Sequence, residues 1–181
     1  DGSEDRFVAP VAEGGEGALF LQMNRNKRSL TLDPMHEAGR EVVRRLVRPG
    51  DAVLVDSPGY SNLLFILRVQ GARLIGVPRT PTGYDLAALE SLILQHRPKV
   101  FFTQPRLQSP TGSTAQVAHL YRLLQLAEKY DFVVVENDIY VDLDPEPRPT
   151  LASLDQLRRV VYISSFSKTI SPNIRVGFMA A

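Results

Sequence analysis

The feature that most constrains the fold is a repeated alternation between short apolar segments and amphipathic helical segments. The apolar segments are rich in β-branched side chains, which is typical of strands buried on both faces of a sheet. The predicted strands are 52–55, 74–77, 100–103, 132–136, 160–163 and 175–181. The predicted helices are 35–47, 60–70, 85–96 and 116–130. This order predicts an α/β fold, a three-layer α/β/α domain around a mostly parallel sheet.

The predicted topology also indicates where a binding site would lie. Parallel strands joined by right-handed crossovers have helices on both sides of the sheet. Ligands of such sheets bind outside the carboxyl ends of the strands. The candidate segments are therefore the polar ones that directly follow a strand, namely 57–60, 104–112, 136–140 and 164–169.

Composition excludes several classes of protein. The chain has no Cys and only three widely separated His, so we expect neither disulfides nor a metal site. The formal net charge of +1 argues against a dedicated nucleic-acid surface. No apolar run is long enough to span a membrane, and no signal-peptide pattern opens the chain. We therefore expect a cytoplasmic protein with no membrane contact.

The domain organisation predicted from the sequence is simple. Residues 1–31 form a polar, Gly-rich and poorly defined lead-in, and residues 32–181 form a single α/β domain. The chain begins in the lead-in and ends in an apolar strand, which is an unusual place for a natural terminus. We therefore expect this chain to be a piece of a longer protein.

The most informative segment surrounds Lys168. Most lysines in a polar loop are simply solvated, but this one directly follows a predicted strand and lies among apolar side chains. A lysine that forms a Schiff base needs a fixed position and a lowered pKa, which burial and a nearby cation supply. A phosphate group needs hydroxyl donors and an arginine, and Ser165, Ser167 and Arg175 offer both.

The segment 164–175 closely resembles the lysine motif of class I/II (fold type I) aminotransferases, in which Ser-x-Ser-Lys precedes a Pro-containing loop and an Arg. The resemblance implies that Lys168 forms the internal aldimine with pyridoxal 5'-phosphate and acts as the catalytic proton shuttle. It also implies that Ser165, Ser167 and Arg175 bind the phosphate. The fold implied is the large domain of these enzymes.

Two further turns match the same family in the expected order. The turn 57–60 resembles the one whose aromatic ring stacks on the cofactor pyridine, which implies a cofactor contact for Tyr60. The turn 109–112 resembles the family's Asn-Pro-Thr-Gly turn, whose Asn bonds the phenolic oxygen of the cofactor. Here Ser109 replaces that Asn, and its shorter hydroxyl can still donate one hydrogen bond.

The segment 136–140 matches the place where the family has an acid for the pyridinium nitrogen and a Tyr for the phenolic oxygen. Tyr140 is the implied tyrosine. With a three-residue spacing to that tyrosine the ring-facing residue is Asn137, and with a two-residue spacing it is Asp138. We favour Asp138, because a carboxylate keeps the ring protonated and able to accept electrons.

Two parts of the family pattern are missing or altered. The turn that normally holds the phosphate on glycine N–H groups corresponds to 32–37, which has no glycine and includes Asp33. The small carboxy-terminal domain, which carries the arginine for the substrate carboxylate, would lie beyond Ala181. The substrate-binding parts are therefore expected outside this chain.

The sequence leaves the function open between two main possibilities. The first is transamination of an amino acid or amine. The second is the effector domain of a regulator that resembles the MocR branch of the GntR family and binds pyridoxal phosphate without turnover. The segments 77–83, 103–112 and 136–140 resemble the regulator version. DNA would then be bound only by a domain outside this chain, and the family resemblance implies a homodimer. A domain without any cofactor is the third alternative.

Overall fold

The computed structural model describes residues 47–171 and 177–181. The predicted lead-in, most of the first predicted helix and the turn at 32–37 lie outside the described residues, as does Arg175. The boundary predicted between residues 31 and 32 therefore stays a prediction.

A seven-stranded sheet forms the centre of the domain, with the spatial order β3-β2-β1-β4-β5-β6-β7 in the described part of the chain. The strands are β1 (Ala52–Ser57), β2 (Arg73–Thr80), β3 (Gly83–Tyr84), β4 (Val100–Thr103), β5 (Val133–Asn137), β6 (Val160–Ser165) and β7 (Gly177–Ala180). The five strands β2, β1, β4, β5 and β6 are parallel, and β3 and β7 pair antiparallel at the two ends. The predicted mostly parallel sheet is confirmed.

Four α-helices connect the strands: α1 (Ser61–Val69), α2 (Leu86–His96), α3 (Val117–Tyr130) and α4 (Leu151–Asp155). Asp85 caps α2 as predicted, because its Oδ1 accepts a hydrogen bond from the backbone N–H of Ala88 at 2.9 Å. There are also two short 3₁₀ turns in the described residues: Val141–Leu143 begins shortly after β5, and Phe166–Lys168 directly follows β6. None of the helices that the structure describes is long and apolar enough to cross a membrane.

Helices cover both faces of the sheet, so the predicted three-layer architecture is confirmed. Alternate residues of each strand point to opposite faces, which explains the continuous apolar runs in the sequence. On one face Leu54 and Phe101 pack in the larger core with Leu89 of α2 and Leu123 of α3. On the other face, the smaller core is formed by the strand residues Val53, Val55 and Val100, by Leu67 of α1 and by Val47, which precedes β1. This second face, covered by α1, is the one that borders the candidate site.

Part of the segment predicted as a loop after the second strand belongs to the sheet. The sequence predicted that the second strand would end at Val77, but β2 continues to Thr80 and turns back into β3. Arg79 pairs with Tyr84 in this antiparallel hairpin. Gly83 has a φ of +143° and a side chain at that position would collide with the ring of His119, so glycine is required there. The hairpin depends on contacts with α3, which local sequence does not show.

Candidate functional site

The carboxyl ends of four parallel strands open onto one cavity of about 330 Å³. This volume lies at the lower end of the range of small-molecule sites, roughly 300–1,000 Å³. Its polar lining comprises Asp56, Tyr60, Asn62, Thr103, Gln104, Gln108 and Asn137. Apolar side chains of α1, together with Phe102, Val135 and Ile163, complete the wall. The cavity therefore lies where a parallel sheet is expected to bind a ligand.

Tyr60 lies at the end of a tight turn that follows β1 and is one of the residues lining the cavity. The turn passes so close to β1 that a Cβ at Gly59 would lie 2.4 Å from the carbonyl oxygen of Asp56. Only glycine fits there, which fixes the position of the next residue. The hydroxyl of Tyr60 accepts a hydrogen bond from Asn62 Nδ2 at 2.9 Å, so the ring is held at its far end.

Ser109 is half-buried and is not among the residues that line the cavity, but two lining residues hold its peptide group. The backbone N–H of Ser109 donates to Gln104 Oε1 at 3.1 Å, and its carbonyl accepts from Gln108 Nε2 at 2.7 Å. The backbone of the turn is therefore fixed on both sides of Ser109.

At the end of β5, Asn137 faces the cavity and Asp138 does not line it. The Oδ1 atom of Asn137 is buried and has no hydrogen-bond partner among the described residues. The carboxylate of Asp138 lies instead 3.3 Å from Arg106 Nε and accepts a hydrogen bond from Tyr162 at 3.2 Å. Burial raises the pKa of Asp138, and the guanidinium of Arg106 opposes that rise. The carboxylate of Asp138 thus faces protein partners, although its Oδ1, like that of Asn137, has no hydrogen bond among the described residues, and of the two side chains only Asn137 lines the cavity.

Tyr140 is half-buried and, like Ser109, is not among the residues lining the cavity. It directly precedes the 3₁₀ turn Val141–Leu143. The structure therefore places Tyr140 next to the site without showing a contact between its ring and the cavity.

Lys168 lies in the 3₁₀ turn that follows β6, whose residue Ile163 lines the cavity. Its side chain is exposed in the described part of the chain, whereas the sequence led us to expect burial. The Oγ of Ser165 accepts a hydrogen bond from the backbone N–H of Ser167 at 3.3 Å, which shapes this turn. Arg175, the predicted phosphate partner, lies outside the described residues.

Two buried acids near the site were missed by the sequence interpretation. Glu136 accepts hydrogen bonds from the backbone N–H groups of Leu151 and Ala152, both at 2.8 Å, and so holds the start of α4. Burial raises the pKa of Glu136 to about 7. An acid within an apolar strand is a signal of a buried partner, but the partner itself could not be identified from sequence.

The second missed acid, Asp56, lies at the cavity floor. It accepts hydrogen bonds from Thr103 Oγ1 at 3.0 Å and from the backbone N–H of Gln104 at 2.9 Å. Arg79 Nη1 lies 3.8 Å from its Oδ1. Burial raises the pKa of Asp56 to about 6, against the opposing effect of Arg79. The two side chains form a buried ion pair beneath the turns that carry Tyr60 and Ser109.

The sheet order, the helices on both faces and the cavity at the carboxyl ends define the chain as the large domain of a fold type I protein. The family model for class I and II aminotransferases matches residues 23–181, so the chain belongs to that family. The resemblance stated from the motifs is thereby confirmed, as is pyridoxal phosphate as the cofactor of the family.

Similar proteins include both enzymes and regulators. A 2-aminoadipate transaminase of Thermus thermophilus is 39% identical over 139 residues, which are 73% of this chain and 34% of the relative. An uncharacterized HTH-type transcriptional regulator, YjiR of Escherichia coli, is 37% identical over 148 residues, which are 80% of this chain and 32% of the relative.

Among solved structures, LysN, the α-aminoadipate aminotransferase of Thermus thermophilus in complex with N-(5'-phosphopyridoxyl)-L-leucine, superposes with a TM-score of 0.72 at 34% identity. The match covers 77% of this chain and 37% of that one. The chain thus spans about a third of the length of these relatives.

Proposed function

We propose that this domain binds pyridoxal phosphate in the cavity at the carboxyl ends of β1, β4, β5 and β6, with Lys168 as the residue of covalent attachment. One observation carries the proposal. The buried Oδ1 of Asn137, a residue that lines the cavity together with Tyr60, has no hydrogen-bond partner among the described residues. A buried acceptor without a partner costs free energy unless a ligand donor satisfies it.

The cofactor, when bound, supplies an electron sink for a carbanion formed on a substrate. In the proposed site, Tyr60 offers an aromatic face, and Asn137 Oδ1 accepts a hydrogen bond from a protonated ring nitrogen. The hydroxyl of Ser109 would donate a hydrogen bond to the phenolic oxygen in this proposal. The groups present fit the cofactor in size and in polarity.

The phosphate contacts are proposed from the sequence motif and its position. Ser165 and Ser167 lie in the turn that precedes Lys168, at the same sheet edge as the cavity. Arg175 completes this set in the proposal as the cation for the phosphate. Tyr140 is proposed as a second donor to the phenolic oxygen beside Ser109.

For Lys168, we propose attachment to the cofactor and transfer of the proton at the substrate Cα. Its side chain is exposed in the turn that follows β6, at the same sheet edge as the cavity, although Lys168 is not among the residues that line the cavity. An amine that moves a proton must be neutral at the moment of transfer, which a nearby cation and loss of water favour.

The choice between enzyme and sensor depends on Asn137. An amide stabilises a protonated ring nitrogen less than a carboxylate does, because it has no charge. A weaker electron sink slows turnover more than it weakens binding. This favours the second candidate function, an effector domain that senses an amino acid or amine, and two uncharacterized HTH-type regulators, YjiR and YcxD, are among the similar proteins.

The partners proposed with either function follow from the family. The full-length protein would be a homodimer that binds an amino acid or amine in the cytoplasm. Any DNA contact would come from a domain outside this chain.

Reduction with borohydride tests the covalent attachment directly. The full-length protein is incubated with pyridoxal phosphate, reduced and digested, and the peptide that contains Lys168 is expected to gain the mass of the reduced cofactor. Lys168→Ala is expected to abolish both this adduct and the visible absorption band. Lys129→Ala, at an exposed lysine paired with Glu90, is the matched control and should keep both.

An adduct on other lysines only, or no visible band in the unsubstituted protein, would contradict the proposed function. Enzyme and sensor are then separated by mixing the loaded protein with a panel of amino acids. Conversion of the band to that of the aminated cofactor supports the enzyme, whereas a ligand-dependent change in DNA affinity without conversion supports the regulator.

A further inference from the structure

Gln108 has no part in the proposed chemistry, although it lines the cavity and is only 1% exposed. Its amide nitrogen donates to two carbonyl groups, those of Pro58 at 2.8 Å and Ser109 at 2.7 Å. Its amide oxygen accepts from the backbone N–H and the hydroxyl of Thr111, at 3.2 Å and 2.7 Å. The full hydrogen-bonding capacity of the side chain amide is therefore used at one point of the site.

These bonds join two separate segments of the chain. Pro58 lies two residues before Tyr60 in the turn after β1, and Ser109 lies in the loop after β4. Gln108 is 50 residues from Pro58 in sequence, so the contact is purely tertiary. Gln108 therefore links the turn that carries Tyr60 directly to the loop that carries Ser109.

Gln108 is itself anchored to the sheet by a continuous set of polar contacts. The hydroxyl of Thr111 lies 2.8 Å from that of Ser113, which accepts from Arg79 Nη2 at 3.3 Å. Arg79 in turn pairs with Asp56 at the end of β1. Hydrogen-bond networks of this kind orient the groups that contact a ligand, and this one runs from the exposed Thr111 to the buried Arg79.

We propose that Gln108 is a positioning residue that sets the separation of Tyr60 and Ser109 and thereby the fit of the cofactor ring. The inference rests on the proposed function, since it needs a ring between those two groups. It assigns no contact between Gln108 and the reacting atoms.

The test compares two substitutions with different chemistry at the same size. Gln108→Met removes all the hydrogen bonds, and Gln108→Glu keeps the acceptors but places a carboxylate against two carbonyl groups. Gln125→Met and Gln125→Glu are the matched controls, because Gln125 is an exposed glutamine of α3. Each full-length variant is loaded with pyridoxal phosphate, and its dissociation constant, its melting temperature without cofactor and the pH midpoint of its visible band are measured.

The expected result is a dissociation constant about tenfold higher for both Gln108 variants, the equivalent of about one lost hydrogen bond. The pH midpoint of the band is expected to rise by about half a unit, because a displaced Ser109 hydroxyl no longer stabilises the ionised phenolic oxygen. The Gln125 variants should match the unsubstituted protein in both measurements.

Three outcomes overturn the inference. The first is a lowered melting temperature with an unchanged dissociation constant and pH midpoint, which would show that Gln108 only stabilises the fold. The second is identical behaviour of the Gln108 and Gln125 variants. The third is failure of both Gln108 variants to fold. If the unsubstituted protein itself gives no band, the proposed function fails rather than this inference.

Discussion

The buried pair of Asp56 and Arg79 allows a prediction in which the two partners are not equivalent. The side chain of Arg79 is 1% exposed, and its Nε and Nη1 atoms have no hydrogen-bond partner among the described residues. Arg79 also lies over the ring of Tyr84, at 4.6 Å from the centroid. An arginine cannot lose its proton when its partner is removed. Asp56→Asn is therefore expected to cost about 3–5 kcal/mol of the free energy of unfolding.

Substitution of the other partner, Arg79→Met, leaves Asp56 without its cation, but a carboxylate can bind a proton and become neutral. The pKa of Asp56 is raised from 3.8 to about 6 in the folded protein. A pKa raised by roughly two units corresponds to about 3 kcal/mol of stability. This stability is fully present below pH 3.8, the ordinary pKa, and is lost as the pH rises through about 6.

Arg79 lowers the pKa of Asp56, so this pKa rises further when Arg79 is removed. The pH range over which the folded protein loses stability then extends to higher pH. Arg79→Met is therefore expected to cost more at pH 8 than at pH 5, by about 1.4 kcal/mol for each additional unit.

Urea unfolding of the apo protein at pH 5 and pH 8 measures these differences. The double variant Asp56→Asn/Arg79→Met is expected to be more stable than Asp56→Asn alone, because it contains no unpaired buried charge. Asp51→Asn is the matched control, because the Lys99 side chain that pairs with it is 63% exposed and stays solvated when the pair is lost, and it should cost no more than about 1 kcal/mol. Glu136 and Asp138 also have raised pKa values, but they are present in all variants, so their effect on stability cancels in the comparison.

The reasoning is refuted if Arg79→Met costs the same at both pH values. It is also refuted if Asp56→Asn costs no more than Asp51→Asn, since burial would then have no effect on the pair.

Two further predictions concern the end of β5. Asn137→Asp places a carboxylate at the cavity wall, so it should lower the stability of the apo protein at pH 8 and raise its affinity for pyridoxal phosphate. Urea unfolding measures the first effect and cofactor titration the second. Equal changes with Asn62→Asp would contradict a specific role for Asn137. Glu136→Gln removes one of the two carboxylate oxygens that accept from the N–H groups of Leu151 and Ala152. It should therefore lower the free energy of unfolding by about 1–3 kcal/mol in urea at pH 8. A cost under about 0.5 kcal/mol, roughly that of a surface change, would contradict the capping role.

Much of the fold could be predicted because its signals are local. Val100–Thr103 was predicted with its observed bounds, since a fully buried parallel strand leaves a continuous apolar run. The helix after Asp85 was predicted from its capping residue. The extension of β2 could not be predicted, because it depends on Tyr84 pairing with Arg79 and on the fit of Gly83 against His119.

The position of the cavity could be predicted, because the carboxyl ends of parallel strands meet at one edge. Lys168 was identified from the resemblance of its motif to a family, and its role stays a prediction. Spacing alone left both Asn137 and Asp138 as ring partners. Arg106, which lies 32 residues before Asp138 and 3.3 Å from its carboxylate, gave no signal in that spacing. Gln108 gave no local signal, since its importance lies entirely in contacts with distant segments.

The alternation of side chains along β5 has a consequence for how such a site can change over generations. Glu136 points into the protein and Asn137 points into the cavity, so an acid at a neighbouring position cannot replace the one at the cavity wall. Codons for Asn and Asp, however, differ only in their first base. A point mutation at this codon exchanges a neutral wall for a charged one without moving the backbone. Descendants of one gene can thus pass between a neutral and a negatively charged cavity wall in a single mutational step.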